Sequence, residues 1–396
     1  IDHTLIINEI ERSIKFYNWD FILSSLPSGS CLVGGYIRDL ILGRLNSVID
    51  VDIVVPENAI KIGKKIADKF GGKFIILDDA RDVVRIIFKH ISIDIAAQIS
   101  PSIEIDLLSR DFSINAIAFS FEEKLLIDPS NGIKDIQLSF LRTNSKQNLL
   151  DDPLRILRCF RFVSELNFNV DENIIDFFKN SKNQLSFIAN ERINYEIQRI
   201  IRGEAVPKSI KLINKCKIFD YIQSEKNLMD INFEKSNFDN FNKIEKEKFL
   251  PLFFLIQIFD EFSLKNLKFS KYEISKIKLL RKWKYLLKEK TIFKLSEIER
   301  FDLHKELEDI LPCFILFLPQ SCQKDWLNRW RNKDDKLFHP SSLIKANDIK
   351  YYLKVQDGPI LGKLLNYLSR ELAFNRLDNF DEAIYKGKQW IKQNAP

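Results

Sequence analysis

The stretch that most restricts how this chain can fold is Asn46-Ser47-Val48-Ile49-Asp50-Val51-Asp52-Ile53-Val54-Val55. It is a β-branched, apolar run interrupted by two carboxylates two positions apart. Such residues favour a strand, and in a strand positions i and i+2 point to the same face. Asp50 and Asp52 are therefore expected side by side, opposite Val51 and Ile53. Two like charges so placed repel, and a buried strand gains nothing from them. Divalent cations would offset that cost. Mg²⁺ prefers carboxylate oxygens and nucleotide phosphates, and paired metals serve in-line phosphoryl chemistry. The alternative is a strand end carrying two solvated acids.

Just upstream lies Cys31-Leu32-Val33-Gly34-Gly35-Tyr36-Ile37-Arg38-Asp39-Leu40-Ile41-Leu42-Gly43-Arg44. This reads as a short strand, a Gly-Gly turn and a helix opening. Glycines at such a turn let backbone approach a ligand closely, and a helix N-terminus favours an anion. Arg38, about one turn into that helix, is placed to fork onto a phosphate. An ordinary strand-turn-helix ended by Gly43 accounts for the same residues.

Taken together, Val33-Gly34-Gly35-Tyr36-Ile37-Arg38-Asp39 and Asp50-Val51-Asp52 resemble motif A of the class II tRNA nucleotidyltransferases, the CCA-adding enzymes grouped with bacterial poly(A) polymerases. Recognisable motifs cover roughly residues 20–205. The resemblance implies an α+β fold. A small nucleotidyltransferase head with a polymerase-beta-like mixed sheet and helices is expected over residues 1–145. A helical neck with the base-reading motif follows over 146–206, then an all-α, RNA-binding body and tail over 207–396.

Composition agrees with a soluble globular chain of more than one domain: 396 residues, 45% hydrophobic and 29% charged. A formal net charge of +6 permits a polyanionic partner without demanding one. The five cysteines, Cys31, Cys159, Cys216, Cys313 and Cys322, form no C-x-x-C pair. That argues against a zinc site or a disulfide framework and for a reducing, cytoplasmic setting. The first residues lead into an amphipathic stretch unlike a signal peptide, and no apolar run is long enough to span a bilayer.

Local patterns continue the head. Residues 3–19 suggest a helix with Ile6, Ile10, Ile14 and Tyr17 at helical spacing, and Glu57–Phe70 a second one ended by Gly71-Gly72. Three β-like runs follow, Lys73–Leu77, Asp82–Phe88 and Ile91–Ala96. In the last, isoleucines alternate with Ser92, Asp94 and Ala96. Asp94 matches the family's third carboxylate, which helps to hold a metal or takes the proton from the attacking 3′-hydroxyl. It reads equally as an outward polar residue on a half-buried strand.

Ser109-Arg110-Asp111-Phe112-Ser113-Ile114-Asn115-Ala116 resembles family motif B, with Ser109 where an Arg is usual. The resemblance assigns Arg110 and Asp111 to nucleotide binding, contacts to the ribose included. Asp128-Pro129-Ser130-Asn131-Gly132, with Asp135 and Leu141-Arg142-Thr143, resembles the head-to-neck hinge and is structural.

Asp151-Asp152-Pro153-Leu154-Arg155 opens the next domain, with Pro153 expected at the first helical position. Arg155, Arg158 and Arg161 recur every third residue, which puts several cations along one side of a helix. A solvated, charge-laced helix is the common outcome of such a run. The segment nevertheless resembles the family's Glu-Asp-x-x-Arg motif, in which the second and last positions, here Asp152 and Arg155, read the incoming base. A carboxylate accepts from the exocyclic amino group of cytosine or adenine while Arg donates to the ring nitrogen; uracil and guanine reverse that pattern. Arg158 and Arg161 match positions used for nucleotide contact. Asn190–Ile197 resembles a further helix motif, taken as a stabiliser of the neck.

The C-terminal half is helical in character. Residues 264–294 hold 11 Lys or Arg against Glu273 and Glu289, a pattern that serves either RNA-backbone binding or a solvated helix face. The resemblance implies that this half grips the acceptor arm of tRNA and sets the cleft at its 3′ end. Asp94 and Arg110 lie only 16 positions apart. Full CCA-adding members carry a longer loop there, so the resemblance points to CC addition from CTP, then to full CCA addition with ATP. CC addition would require a separate A-adding partner enzyme. A poly(A) polymerase, an A-adding enzyme, an inactive RNA-binding protein on the same fold and a small-molecule nucleotidyltransferase are the remaining readings, the last disfavoured by the basic helical half and by Asp152 with Arg155.

Overall fold

The computed structural model describes residues 2–45, 49–222, 238–289 and 291–394. Asn46, Ser47 and Val48 of the acidic run, Lys290 of the basic stretch and the side chain of Lys288 lie outside the described residues. The chain divides into two compact units, Ile1–Ile222 and Gln223–Pro396.

The first unit opens with α1 (His3–Phe16), where the Asp2 carboxylate accepts from the Thr4 amide at 3.0 Å. Its buried Ile6, Ile10 and Ile14 match the helical spacing, but the helix ends three residues before the expected boundary, and Asn18 then turns left-handed at φ 53°. Next come β1 (Cys31–Val33), α2 (Gly35–Ile41), β2 (Ile49–Val55), α3 (Ala59–Phe70), β3 (Lys73–Asp78), β4 (Val83–Ile87), β5 (Ile91–Ala97), α4 (Ile103–Leu108), β6 (Ala118–Ser120) and β7 (Leu126–Ile127). The seven strands form one mixed sheet in the order β3-β4-β5-β2-β1-β6-β7. Only β2 and β5 are parallel neighbours, and the chain between them supplies the crossover such a pair needs. The isoleucines of β5 and Val51 and Ile53 of β2 are buried, as period-2 alternation requires, which leaves Asp50, Asp52, Ser92 and Asp94 on the other face.

Tertiary contacts set the boundaries of α3 and β4. Helix α3 starts two residues later than the sequence suggests, because the Asp82 carboxylate caps it from afar, accepting from the amides of Ala59 at 2.8 Å and Ile60 at 2.7 Å. Asp82 itself is left-handed at φ 51°, so β4 begins at Val83.

The unit continues through α5 (Gly132–Gln137), β8 (Phe140–Leu141), α6 (Lys146–Asp151), α7 (Leu154–Leu166), β9 (Asn169–Val170), α8 (Glu172–Ser181), α9 (Asn190–Ile200) and α10 (Val206–Cys216). β8 and β9 pair in parallel. Asp128 caps α5 through the amides of Gly132 and Ile133. A side chain at Gly132 would place a Cβ 2.0 Å from the Ser113 carbonyl oxygen, so glycine is what lets α5 lie against the Ser113–Asn115 turn. Pro153 takes the position before the first helical residue rather than the first itself. Asp152 is extended at φ −138°, which separates α6 from α7, and its carboxylate accepts from the Leu154 amide at 3.3 Å. Helix α7 buries Ile156, Leu157, Phe160 and Val163 and packs against α9 and α10.

The second unit is helical throughout its described residues: α11 (Lys243–Ile258), α12 (Glu261–Asn266), α13 (Lys271–Glu289), α14 (Glu297–Leu307), α15 (Leu311–Ile315), α16 (Gln320–Arg331), α17 (Ala346–Leu353), α18 (Pro359–Ala373) and α19 (Phe380–Asn394). Capping boxes start α11 (Asn242 with Glu245) and α14 (Ser296 with Glu299). Much of the basic stretch is engaged within the unit. Lys265 and Lys278 pair with Glu261, Lys282 with Glu306, and Arg281 donates to the carbonyls of Ile256 and Phe259. No helix among the described residues is long and apolar enough to cross a membrane.

Helix α14 buries His304 between the rings of Trp326 and Phe338, at centroid distances of 5.1 and 4.1 Å. Burial, then Arg329 and Arg300, push the imidazole down to about 3. The unfolded chain takes up this proton near pH 6.5 while the folded unit refuses it. Stability is therefore whole above pH 6.5 and is lost as pH falls toward 3, by about 2 kcal/mol at pH 5. Chemical denaturation at pH 7 and pH 5 should show that loss, and His304→Phe should flatten it.

Candidate active site

Parallel register places Asp52 beside Asp94 and Asp50 beside Ser92. β1 lies on the other side of β2, with Val33 opposite Asp52. The turn leaving β1 therefore delivers Gly34 directly above the carboxylates. Gly34 has φ 72° and ψ −128°, a conformation that only glycine adopts without strain, and its amide donates to the Ile117 carbonyl at 3.0 Å. A Cβ there would come 3.1 Å from Arg110 Nη1 and 3.6 Å from Asp52 Oδ2. Gly34→Ala should thus combine backbone strain with displacement of Arg110. The strain should lower stability by about 1–3 kcal/mol in urea unfolding, and displacement of Arg110 should lower kcat/KM for nucleotide incorporation about tenfold or more, with the fold retained by circular dichroism.

All twelve residues singled out from the sequence line one cleft of about 630 Å³ within the first unit. Arg38 is held rigidly: Nη1 donates to Asn115 Oδ1 at 2.7 Å, and Nε and Nη2 fork onto Asp39 at 2.9 Å each. Gly35 begins the helix that carries Arg38. Arg110 reaches back to Asp106 at 3.4 Å. Asp111 is buried and fully engaged, accepting from the Phe112 amide at 2.9 Å, Asn115 at 3.1 Å and Arg158 Nε at 2.7 Å. Burial opposes its charge, but Arg158 and these hydrogen bonds win, and its carboxyl sits below the usual range. Arg158 and Asp111 thus tie α7 to the motif-B turn.

Asp152 accepts from Arg192 Nη2 at 2.9 Å. Arg155 lies on the same wall, its Nη1 donating to the carbonyls of Ser109 at 3.0 Å and Asn148 at 2.9 Å. Arg161 lines the cleft but is almost wholly buried, with Nη1 shared between both Glu196 oxygens at 3.1 Å. Asp94 meets Arg85 in a two-pronged ion pair at 2.7 Å on both oxygens.

Arg85, Arg192, Tyr195 and Arg199 also line the cleft and were missed from the sequence. A signal for three of them was present: positions 192, 195 and 199 fall on one face of α9 at helical spacing. Arg85 is a lone cation in an apolar strand, and its meaning depends on which strand it pairs with.

The carboxylates suit a hard divalent cation. Burial, then Asp94, and Asp50 after Arg110, act on Asp52 so that its carboxyl is pushed up to about 6; Arg110 and Arg38 oppose the rise. This surplus of negative charge among oxygen donors is what a bound cation would relieve.

A mixed sheet presenting paired aspartates beneath a Gly-Gly turn, in one cleft with several arginines, is the arrangement of a nucleotidyltransferase head, here followed by a helical segment. Comparison with known proteins agrees. The family described as "Poly A polymerase head domain" matches residues 30–142, and that described as "Probable RNA and SrmB- binding site of polymerase A" matches residues 167–228. A CC-adding tRNA nucleotidyltransferase of Synechocystis sp. is 29% identical over 395 residues, covering 92% of this chain and 94% of the relative. Among solved structures, a CCA-adding enzyme in complex with CTP matches with a TM-score of 0.76 at 21% identity over 99% of each chain. The Thermotoga maritima CCA-adding enzyme complexed with tRNA matches with a TM-score of 0.71 at 23% identity over 91% of each chain. At these identities the solved structures establish the fold. The head and the helices after it thus match poly(A) polymerase family models, and the chain as a whole is similar to CC-adding and CCA-adding tRNA nucleotidyltransferases.

Proposed function

We propose that this chain extends the 3′ end of tRNA without a nucleic-acid template, adding two C residues from CTP and releasing pyrophosphate. The tRNA 3′-hydroxyl attacks the α-phosphorus of CTP. Gly34 and Gly35 let the backbone approach the nucleotide, and Arg38 and Arg110 face its phosphates from fixed positions. Asp152, steadied by Arg192, accepts from the cytosine amino group, and Arg155 donates to the ring nitrogen. A base of reversed polarity would set acceptor against acceptor at Asp152 and donor against donor at Arg155. Asp50 and Asp52 would hold Mg²⁺, which supplies Lewis-acid activation and charge neutralisation in such transfers. Residues beyond 222 would hold the tRNA acceptor arm through their surplus of basic side chains, in the reducing cytoplasm that five free thiols suit.

One observation favours two additions over three. β5 carries Asp94 and is joined to α4 by Gln98–Ser102 alone. That connection is pinned by the Gln98 amide to the Val55 carbonyl at 2.8 Å and by the Ile99 amide to Asp106 at 3.2 Å. It leaves no long loop of the kind that accompanies the change to ATP, and the Synechocystis relative is a CC-adding enzyme. The terminal A would then come from a separate A-adding enzyme.

Incorporation onto tRNA lacking its last three nucleotides, with Mg²⁺ and resolved on a sequencing gel, tests this. Extension should stop after two Cs with CTP alone and with CTP plus ATP. A third addition only when ATP is present would make the enzyme a full CCA-adding one. No extension would leave an RNA-binding protein.

A further inference from the structure

Three adjacent strands place three side chains in a row. Arg85 of β4 is the register partner of Asp94 in β5, and Asp94 is the register partner of Asp52 in β2. Asp94 therefore stands between a guanidinium and the Asp52 carboxylate. Both its oxygens are taken by the guanidinium, with Nε on Oδ1 and Nη2 on Oδ2, each at 2.7 Å. The parallel planes of a forked pair fix a carboxylate in orientation as well as position. The side chains of Arg85 and Asp94 are 40% and 23% exposed, where solvent screening leaves an ion pair little to contribute. Stability is thus a weak account of this geometry.

We infer that Arg85 is a positioning residue that keeps Asp94 out of the divalent-cation site and reserves that site for Asp50 and Asp52. The inference rests on the proposed function, which places the cation on those two aspartates. A carboxylate with both oxygens on a guanidinium is a poor ligand. It serves as a fixed, charge-balanced strut beside Asp52. Removing the cation of Arg85 releases one unit of negative charge next to Asp52 and frees two oxygens to coordinate. Cation affinity then rises, while the geometry suited to transfer is lost.

Mn²⁺ titration of the full chain without nucleotide, following free Mn²⁺ by electron paramagnetic resonance, reads this directly. Asp52→Asn should weaken binding at least about a hundredfold, whereas Asp94→Asn, which strands the Arg85 cation, should weaken it only about tenfold, the converse of Arg85→Gln. Arg85→Gln should bind on the order of tenfold more tightly, and Arg85→Gln combined with Asp94→Asn should return toward the wild type. Arg85→Lys keeps the cation and should resemble the wild type, which separates charge from a folding defect should Arg85→Gln melt early. Weakening by Asp94→Asn as large as by Asp52→Asn would make Asp94 a ligand and overturn the inference. Unchanged affinity in a folded Arg85→Gln protein would also overturn it. Equal binding by wild type and Asp52→Asn would instead remove the cation from Asp50 and Asp52, and the inference would fall with that assignment.

Discussion

Asp52→Asn will lower kcat for nucleotide transfer by about a thousandfold or more, leave tRNA binding within about twofold, and raise the melting temperature of the metal-free protein. The first effect follows from the cost of losing a charged donor at a phosphoryl-transfer centre, several kcal/mol of transition-state stabilisation at 1.36 kcal/mol per decade. The second follows because the acidic strand pair lies in the cleft of the first unit, while the basic helical half is left intact. The third follows from electrostatics. Asp52 is held among Asp94 and Asp50 and largely withdrawn from water, so its charge opposes folding. Asn keeps the shape and removes the repulsion, a trade of stability against activity common at catalytic sites. Single-turnover incorporation, filter binding of tRNA and a thermal melt in chelator check the three parts. An inactive variant that also melts early would point to misfolding and refute this account.

Glu196→Leu should destabilise the first unit by about 3 kcal/mol, the low end of the cost of removing one member of a buried ion pair, because Glu165 remains 3.7 Å from Arg161. Glu196 and Arg161 are both nearly inaccessible, on α9 and α7, and are bonded at 3.1 Å. Burial is the largest influence on each; it raises the Glu196 carboxyl and lowers the Arg161 guanidinium despite their attraction. The pair as a whole therefore adds little net stability. The double variant Arg161→Met, Glu196→Leu should recover to within about 1 kcal/mol of wild type in urea unfolding. It also addresses nucleotide contact by Arg161. Because Glu196 already balances that charge, KM for CTP should stay within about threefold of wild type in the double variant. A larger rise would place Arg161 on the triphosphate.

Local pattern carried a large part of this molecule. Alternation of isoleucine with Ser92 and Asp94 foretold which face of β5 would be polar. The spacing of Asp50 and Asp52 foretold two carboxylates on one face of β2. Gly34-Gly35 before Arg38 announced a turn with close backbone approach, and the repeat of Arg155, Arg158 and Arg161 announced one arginine-bearing helix. These features have periods of two to four residues, so the sequence by itself determined them. Tertiary structure decided the partners. Asp82 looked like the start of a strand and instead caps α3. Arg192 looked like neck and holds Asp152 from 40 positions away. Arg161 looked like a nucleotide contact and finds Glu196, 35 positions on. Asp94 had two readings that no local pattern separates, because its role depends on Arg85 arriving in register from the neighbouring strand. A charged side chain is settled by whatever lies within a few ångströms in the folded chain, where burial strengthens each pairing and makes each omission costly. Periodicity reports which way a side chain points, and only the fold determines what it meets.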